Sequence, residues 1–232
     1  MTGGMADPLL PLDAGWKQAW ADRGFRLRLL VVPPVLVATL TALAALVKWV
    51  ERRPGAVLPD PVLAMLPPRD ATWPIFALIY SGILLAVFLL ARTPVRLLLG
   101  VQAYVAMALL RIVVMWATPL DPPAGMIVLA DPLVQVIGGA AEPLTRDLFF
   151  SGHTSTMFLL FLAVPGRAAK AFFLACTGGV AILVLLQHVH YTVDVLAAPV
   201  FAYAAWRVSR KTWPQAALAP QQKETTMRGC QK

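Results

Sequence analysis

The sequence predicts an all-α integral membrane protein folded as a bundle of six transmembrane helices. Two observations lead to this fold class. The chain of 232 residues is 59% hydrophobic and only 14% charged, whereas a soluble domain is about half apolar and about a quarter charged. The apolar residues also fall into six separate blocks, each close to the roughly 17–25 residues that a helix needs to cross a bilayer core.

The six blocks follow one another along the chain. We predict that they form the spans Leu29–Trp49, Pro74–Ala91, Leu97–Thr118, Leu148–Val164, Ala171–Gln187 and Val189–Trp206. The first block begins too far along the chain for a cleaved signal peptide, so we treat it as a retained span. The longest connection, residues 119–147, contains the apolar stretch Pro132–Ala140, which would dip into the membrane interface or form a short helix.

These spans divide the chain into three regions. Residues 1–28 are predicted to form a cytoplasmic interfacial segment, because Trp16 and Trp20 share one helix face as at a membrane surface. A disordered tail is the alternative for this segment. Residues 29–211 form the six-span domain, and residues 212–232 form a mobile polar tail.

The net charge of +8 first suggests a nucleic-acid partner, but its distribution favours a membrane topology. With the amino terminus inside, the inner segments hold fourteen Lys and Arg residues and the outer loops hold five. This asymmetry follows the positive-inside rule and places both termini in the cytoplasm. We therefore expect no nucleic-acid partner. Cys176, inside the fifth span, and Cys230, in the tail, should not pair and lack the spacing of metal ligands.

Two short polar stretches, Ser151–Thr154 and His190–Asp194, interrupt the apolar sequence near its end. Ionisable groups inside membrane spans are costly and mark functional sites. The predicted topology brings both stretches to the outer ends of their spans, and Arg111 lies in the outer half of span three. Hydropathy and loop charge alone determine this topology, so the convergence of these groups at one depth independently favours a single site at the outer face.

The residue types in these stretches suit phosphoryl transfer through a histidine. His190 and Asp194 are four residues apart and would share one helix face. The carboxylate would hold one ring nitrogen and leave the other free as a nucleophile. His153, with an ordinary histidine pKa of about 6.5, could give a proton to a leaving oxygen. A purely structural His–Asp pair is the alternative, and His188 is predicted to be an interfacial or supporting residue.

Five further residues are candidates for binding the substrate or its phosphate. Ser151 and Gly152 open span four, where the free amides and the positive end of the helix dipole suit phosphate oxygens. Arg111 could clamp the same phosphate or instead pair with an acid of an outer loop. Asp147 is a candidate to position His153 or a headgroup. Tyr191 is the last candidate, although a place in the aromatic interface belt is its commoner role.

These residues resemble those of the sphingomyelin synthase family, within the type 2 phosphatidic acid phosphatase superfamily. Four stretches match the family's motifs in order. They are Leu58-Pro59-Asp60, an Arg-x3-Met-x2-Thr-x-Leu pattern over residues 111–120, Asp147 to Thr154, and His190 to Val195. The similarity covers about residues 50–205. Thr145-Arg146 stands where the third motif usually has Cys-Gly, so the resemblance leaves headgroup and acceptor open.

The resemblance implies a membrane-embedded phosphotransferase that needs neither metal nor cofactor. His190 would attack the phosphorus of a phospholipid, His153 would protonate the departing diacylglycerol oxygen, and Asp194 would orient His190. The headgroup phosphate would then pass to a lipid hydroxyl, that of a ceramide or a diacylglycerol. We expect a bacterial inner-membrane protein with its site on the periplasmic side; its oligomeric state stays open.

Two other functions remain as alternatives. The same residues would serve a lipid phosphate phosphatase or a phospholipase C-type hydrolase, in which water replaces the lipid acceptor. A non-enzymatic protein that binds or transports lipids is the other alternative.

Overall fold

The computed structural model describes residues 11–130 and 144–213. Within these ranges the regular structure is helical, apart from one isolated bridge between Ala56 and Leu120. The helices are α1 (Trp16–Ala21), α2 (Arg23–Val50), α3 (Pro61–Met65), α4 (Thr72–Leu90), α5 (Pro94–Ala117), α6 (Gly152–Ala163), α7 (Arg167–Leu186) and α8 (Thr192–Thr212). The predicted all-α class is confirmed.

Four of these helices, α2, α4, α5 and α7, are long and apolar enough to cross a membrane. Their outward faces carry many exposed apolar side chains, such as Leu30, Phe88 and Ile182. Such faces are stable in lipid and costly in water. The chain is therefore a helical membrane protein.

The remaining two predicted spans coincide with α6 and α8, which differ from the other four. The 12 residues of α6 rise only about 18 Å, less than the roughly 30 Å of a bilayer core. The 21 residues of α8 are long enough, but the helix carries Asp194 near its start and Arg210 and Lys211 in its last turn. The count of six spans therefore stays a prediction.

Six of the predicted span ends differ from the helix ends by three or more residues, and the carboxyl end of the last helix lies at Thr212 rather than Trp206. The first long helix begins at Arg23 rather than Leu29, because the Asp22 side chain accepts a hydrogen bond from the Phe25 amide and caps it there. In the same way α6 begins after its cap Ser151, not at Leu148. The last long helix begins at Thr192 rather than Val189. The predicted dip at Pro132–Ala140 and nearly all of the predicted tail lie outside the described residues.

The helices pack around two apolar cores that share α6. One core lies among α2, α5, α6 and α8 and includes Leu99, Ala103 and Ala202. The other lies among α4, α6 and α7 and includes Met157 and Phe173. Because α6 contributes to both cores, its amino terminus is held in the middle of the bundle.

The bundle has two ends, which we name by the candidate site. At the site end, α2, α5 and α7 finish and α4, α6 and α8 begin; at the far end the reverse holds. The connections at the site end are tied together, since the Ala56 amide bonds to the Pro119 carbonyl and the Asp121 amide bonds to the Ala56 carbonyl. A Cβ on Gly55 would lie 2.3 Å from the carbonyl carbon of Leu120, so this close approach requires glycine.

Candidate active site at one end of the bundle

His190 and Asp194 form a buried pair at the start of α8. His190 Nδ1 lies 3.3 Å from Asp194 Oδ2, and the Tyr191 amide donates to the same oxygen at 3.1 Å. His190 is 4% exposed and Asp194 is fully buried. His190 lies just before the helix, not in its first turn as predicted. The contact forms because Asp194 reaches back over the helix start, as a capping-box residue does.

The second polar stretch opens α6. The Ser151 side chain caps the helix by accepting from the Thr154 amide, and Gly152 and His153 are the first two helical residues. The His153 ring meets the Phe76 ring edge to face, with centroids 5.9 Å apart. His153 is thus held at the amino terminus of a helix whose first turn lies inside the bundle.

A main-chain hydrogen bond joins the two stretches. The Ser151 amide donates to the main-chain carbonyl of Asp194 at 3.1 Å. Because Ser151 is two residues from His153, and Asp194 is four residues from His190, this bond fixes the start of α6 against the start of α8. The structure therefore brings both predicted stretches together at the site end.

Arg111 reaches the same place from α5. Its guanidinium pairs with Asp147 at 2.8 Å and donates to the Phe150 carbonyl. A Cβ on Gly152 would lie 2.9 Å from Arg111 Nη1, so the guanidinium lies directly against the backbone that opens α6. The alternative for Arg111 was an ion pair with an acid of a connecting segment, and the structure contains such a pair with Asp147; the phosphate clamp stays a prediction.

The charge of Asp147 is stabilised by this arrangement. Burial acts to raise the pKa of its carboxyl, but Arg111 and, to a lesser degree, His190 and His153 hold the pKa below its ordinary value. Asp147 is therefore an anion at neutral pH. It is close enough to both histidines to interact with them electrostatically, as its proposed positioning role requires.

The Tyr191 side chain is buried within the protein and does not belong to an aromatic belt at the membrane interface. Its side chain is 1% exposed and packs with Leu63 and Leu148. Its hydroxyl donates to the Asp121 carbonyl at 2.9 Å and accepts from the Leu58 amide at 3.2 Å. The interface-belt alternative for Tyr191 was therefore wrong, because the ring is locked between two connections at the site end.

Three residues near the His190–Asp194 pair hold its surroundings in place, and for two of them, Asp60 and Gln187, this role was not predicted. Asp60 accepts hydrogen bonds from the Thr192 amide at 2.6 Å and from its hydroxyl at 3.0 Å, which fixes the first turn of α8. The buried side chain of Gln187 accepts from the Ala71 amide at 3.1 Å. These contacts link distant parts of the chain to main-chain groups, and such pairings leave no periodic signal in a sequence.

His188 is the third of these residues. Its ring nitrogens lie 2.9 Å from the Ala124 carbonyl and 3.0 Å from the Leu66 carbonyl. It is 5% exposed, so the interfacial interpretation was wrong and the supporting one agrees with its contacts. With a φ of +57°, His188 turns the chain sharply between α7 and His190, and its ring holds two connections against that turn.

A second ion pair, between Arg146 and Asp121, joins two of the connecting segments around the site. Arg146 Nε lies 2.6 Å from Asp121 Oδ1, and the Glu51 carboxylate accepts from the amides of Thr145 and Arg146 at 2.7 and 2.6 Å. Thr145 and Arg146 are the residues that depart from the family's third motif. Their contacts fix the segment of chain that leads to Asp147.

Within the described ranges, no group of three or more His, Cys, Asp or Glu side chains is placed to hold a metal ion. The chemistry that the described site offers is that of two imidazoles, two carboxylates and one guanidinium. A nucleophile oriented by a carboxylate, with a second imidazole at the amino terminus of a neighbouring helix, can carry out group transfer at phosphorus.

Comparison with known families agrees with this chemistry. Residues 146–212 match the family model described as PAP2 superfamily C-terminal. The matched segment contains α6, α7 and α8 and both polar stretches. No curated protein matches the chain significantly. The match supports the type 2 phosphatidic acid phosphatase superfamily, and with it a lipid phosphatase or phosphotransferase type of function.

Proposed function

We propose that this protein is a membrane-embedded lipid phosphotransferase of the sphingomyelin synthase type. It would move a phospho-headgroup from a phospholipid to the hydroxyl of a ceramide or a diacylglycerol. The observation that carries the proposal is the contact of 3.3 Å between His190 Nδ1 and Asp194 Oδ2, at a helix start that is bonded directly to the start of α6.

In the first half-reaction, His190 is the nucleophile. With its Nδ1 proton directed at Asp194, the ring presents Nε2 with a free lone pair. Nε2 attacks the phosphorus, a P–N bond forms, and the bond from phosphorus to the diacylglycerol oxygen breaks. His153 gives its proton to that oxygen, so diacylglycerol leaves as a neutral alcohol.

In the second half-reaction, the headgroup phosphate leaves His190 for the acceptor. The acceptor hydroxyl attacks phosphorus while His153, now neutral, takes the hydroxyl proton. The P–N bond breaks and both histidines return to their starting states. Asp194 stabilises the positive charge that the His190 ring carries while the P–N bond exists.

Residues around the pair would bind the phosphate. Ser151 and Gly152 place the amino terminus of α6 at the site, where the helix dipole favours an anion. Arg111, which holds Asp147, adds positive charge behind that terminus. Tyr191 would contribute through the fixed position of its ring and not through a free hydroxyl. The first turn of α6 carries no acidic residue, so no carboxylate within that turn opposes the positive end of its dipole.

The same residues would also serve hydrolysis, and the superfamily match is compatible with this second candidate as well as with the first. Water would replace the lipid acceptor in the second half-reaction, giving a lipid phosphate phosphatase or a phospholipase C-type hydrolase. Buried apolar residues such as Leu148 and Phe150 lie behind the site. They would keep water from reaching it through the interior of the bundle. This burial is the reason that we place the transferase first.

The test uses purified full-length protein and a phospholipid labelled in its headgroup, with and without ceramide or diacylglycerol. The transferase proposal predicts a labelled product lipid whose formation depends on the acceptor. Release of free headgroup phosphate at a rate unaffected by the acceptor would reject the transferase and support the hydrolase. No turnover of any phospholipid, with a folded protein, would favour a lipid-binding protein.

A further inference from the structure

A lateral groove of about 550 Å³ lies among α2, α5 and α8, in the half of the bundle nearest the far end. Its walls are apolar and are formed by Leu27, Val31, Val35, Val105, Leu109 and Val208. Leu27, Val31 and Leu109 are also exposed on the outer surface of the bundle. The groove therefore opens sideways, toward the region that lipid chains fill around a membrane protein.

The end of the groove nearest the far end of the bundle is polar and is lined by Arg28, Gln102 and Thr212. Arg28 donates from Nη2 to the Thr212 carbonyl at 2.7 Å, and its guanidinium lies 4.5 Å from the centroid of the Trp213 ring. That carbonyl bond uses one of the five N–H groups of the guanidinium. The positive charge of Arg28 thus lies where the apolar groove meets the far end of the bundle.

Gln102 supplies a second polar group at the same polar end of the groove. Its Nε2 donates to the Thr212 hydroxyl at 2.8 Å. Its Oε1 is buried and has no hydrogen-bond partner among the described residues. An unpaired buried acceptor is costly, so a ligand that brings a hydrogen-bond donor to this point would be favoured.

This groove is separate from the candidate active site. Ser209 lines the groove and Asp194 belongs to the histidine pair, and both lie on α8. Their fifteen-residue separation in a helix corresponds to about 22 Å along its axis. A lipid with its headgroup at Arg28 would therefore place its phosphate far from His190, so the groove is not the place where the phosphate reacts.

We propose that this groove binds one anionic glycerophospholipid with a hydroxyl-bearing headgroup, such as phosphatidylglycerol. An acyl chain would lie along the apolar walls, the phosphate would pair with Arg28, and a headgroup hydroxyl would donate to Gln102 Oε1. Basic pockets between helices near a membrane surface select anionic headgroups in this way. The exposed Lys211, beside Thr212, adds positive charge. A choline headgroup has no donor for Gln102, so phosphatidylcholine should bind less well.

The test measures lipid bound to the full-length protein by native mass spectrometry, with phosphatidylglycerol and phosphatidylcholine of the same acyl chains. The wild type should retain phosphatidylglycerol in preference. Arg28→Gln should weaken its binding by at least about tenfold, because a charge-assisted contact is lost. The matched control is Arg26→Gln, two residues away on the same helix, which removes the same charge from an exposed position outside the groove.

A second variant keeps the charge and fills the groove. Val35→Trp places a large ring at the partly exposed wall and should also reduce retention of phosphatidylglycerol, without any change at Arg28. The proposal is overturned if both lipids bind equally to the wild type. It is also overturned if Arg28→Gln retains as much phosphatidylglycerol as Arg26→Gln, or if Val35→Trp binds it as the wild type does. Since none of these readouts depends on turnover, they are independent of the proposed enzymatic activity.

Discussion

The Ser151 amide donates a hydrogen bond of 3.1 Å to the main-chain carbonyl of Asp194. This bond joins the starts of α6 and α8, and so it joins the helices that carry His153 and His190. Main-chain groups cannot be altered by a side-chain substitution, which makes the link insensitive to most changes nearby. Side-chain substitutions at this site should therefore change its chemistry and local packing, while the starts of α6 and α8 stay together.

The first prediction concerns the charge of Asp194. Asp194→Asn keeps the size of the side chain, but its amide nitrogen can donate to His190 Nδ1 and move the ring proton to Nε2. The nucleophilic lone pair would then be lost, and kcat should fall by about 10²–10⁴-fold, as for a wrong tautomer in a catalytic triad. The measurement is headgroup turnover by purified protein whose thermal midpoint matches the wild type. A kcat within a few-fold of the wild type would argue against this role.

The second prediction concerns the contact between Gly152 and Arg111. In Gly152→Ala the new Cβ would lie 2.9 Å from Arg111 Nη1 and 3.0 Å from its Cζ. The guanidinium must then shift from Asp147, and overpacking of this kind costs about 1–3 kcal/mol. The matched control is Gly178→Ala on α7, where a Cβ meets nothing within 4 Å; it should be neutral or slightly stabilising. Thermal unfolding in detergent compares the two, and equal midpoints would contradict the contact.

The third prediction concerns acid stability. Because the pKa of Asp147 lies below its ordinary value in the folded protein, the carboxylate stabilises the fold fully above its unfolded pKa of about 3.9. That contribution is lost as the pH falls through the folded pKa, when Arg111 loses its charged partner. Asp147→Asn should therefore be less stable than the wild type at pH 7, and the difference should shrink below pH 4. A difference in thermal midpoint that stays constant from pH 7 to pH 3 would exclude this linkage.

The fourth prediction concerns orientation in the membrane. The excess of Lys and Arg on the segments of the far end predicts that this end, with both termini, faces the cytoplasm. A reporter that is active only outside the cytoplasm, fused after Lys232, should be silent. The same reporter inserted after Pro67, in the connection between α3 and α4 at the site end, should be active. The reverse pattern would place the candidate site on the cytoplasmic side.

The sequence was informative where physical signals are local or periodic. The long apolar helices follow from hydropathy, and the place of His153 near a helix start follows from its position at the beginning of the fourth apolar block. The convergence of Arg111 with both histidine stretches followed from counting spans, because alternate helix ends must lie at the same end of a bundle. These signals depend on composition and spacing, which a single sequence contains.

Other features depended on contacts between distant segments. The Asp60 bonds to Thr192, and the two carbonyl contacts of the His188 ring, join connections that hydropathy treats as unrelated loops. Helix starts were predicted too early at α6 and α8, because Leu148 and Val189 are apolar yet buried in non-helical chain. Apolar sequence predicts burial, whereas the start of α6 is fixed by the cap residue Ser151.

The most direct test of the central claim is to trap the covalent intermediate on His190. Purified protein is mixed with headgroup-labelled phospholipid without acceptor, denatured in alkali to preserve a P–N bond, and mapped by mass spectrometry. The wild type is expected to carry the phospho-headgroup on His190 and to lose it when ceramide or diacylglycerol is added, whereas His190→Ala should carry none and should not turn over. A His190→Ala protein that still transfers the headgroup, or a label on another residue, would contradict the account.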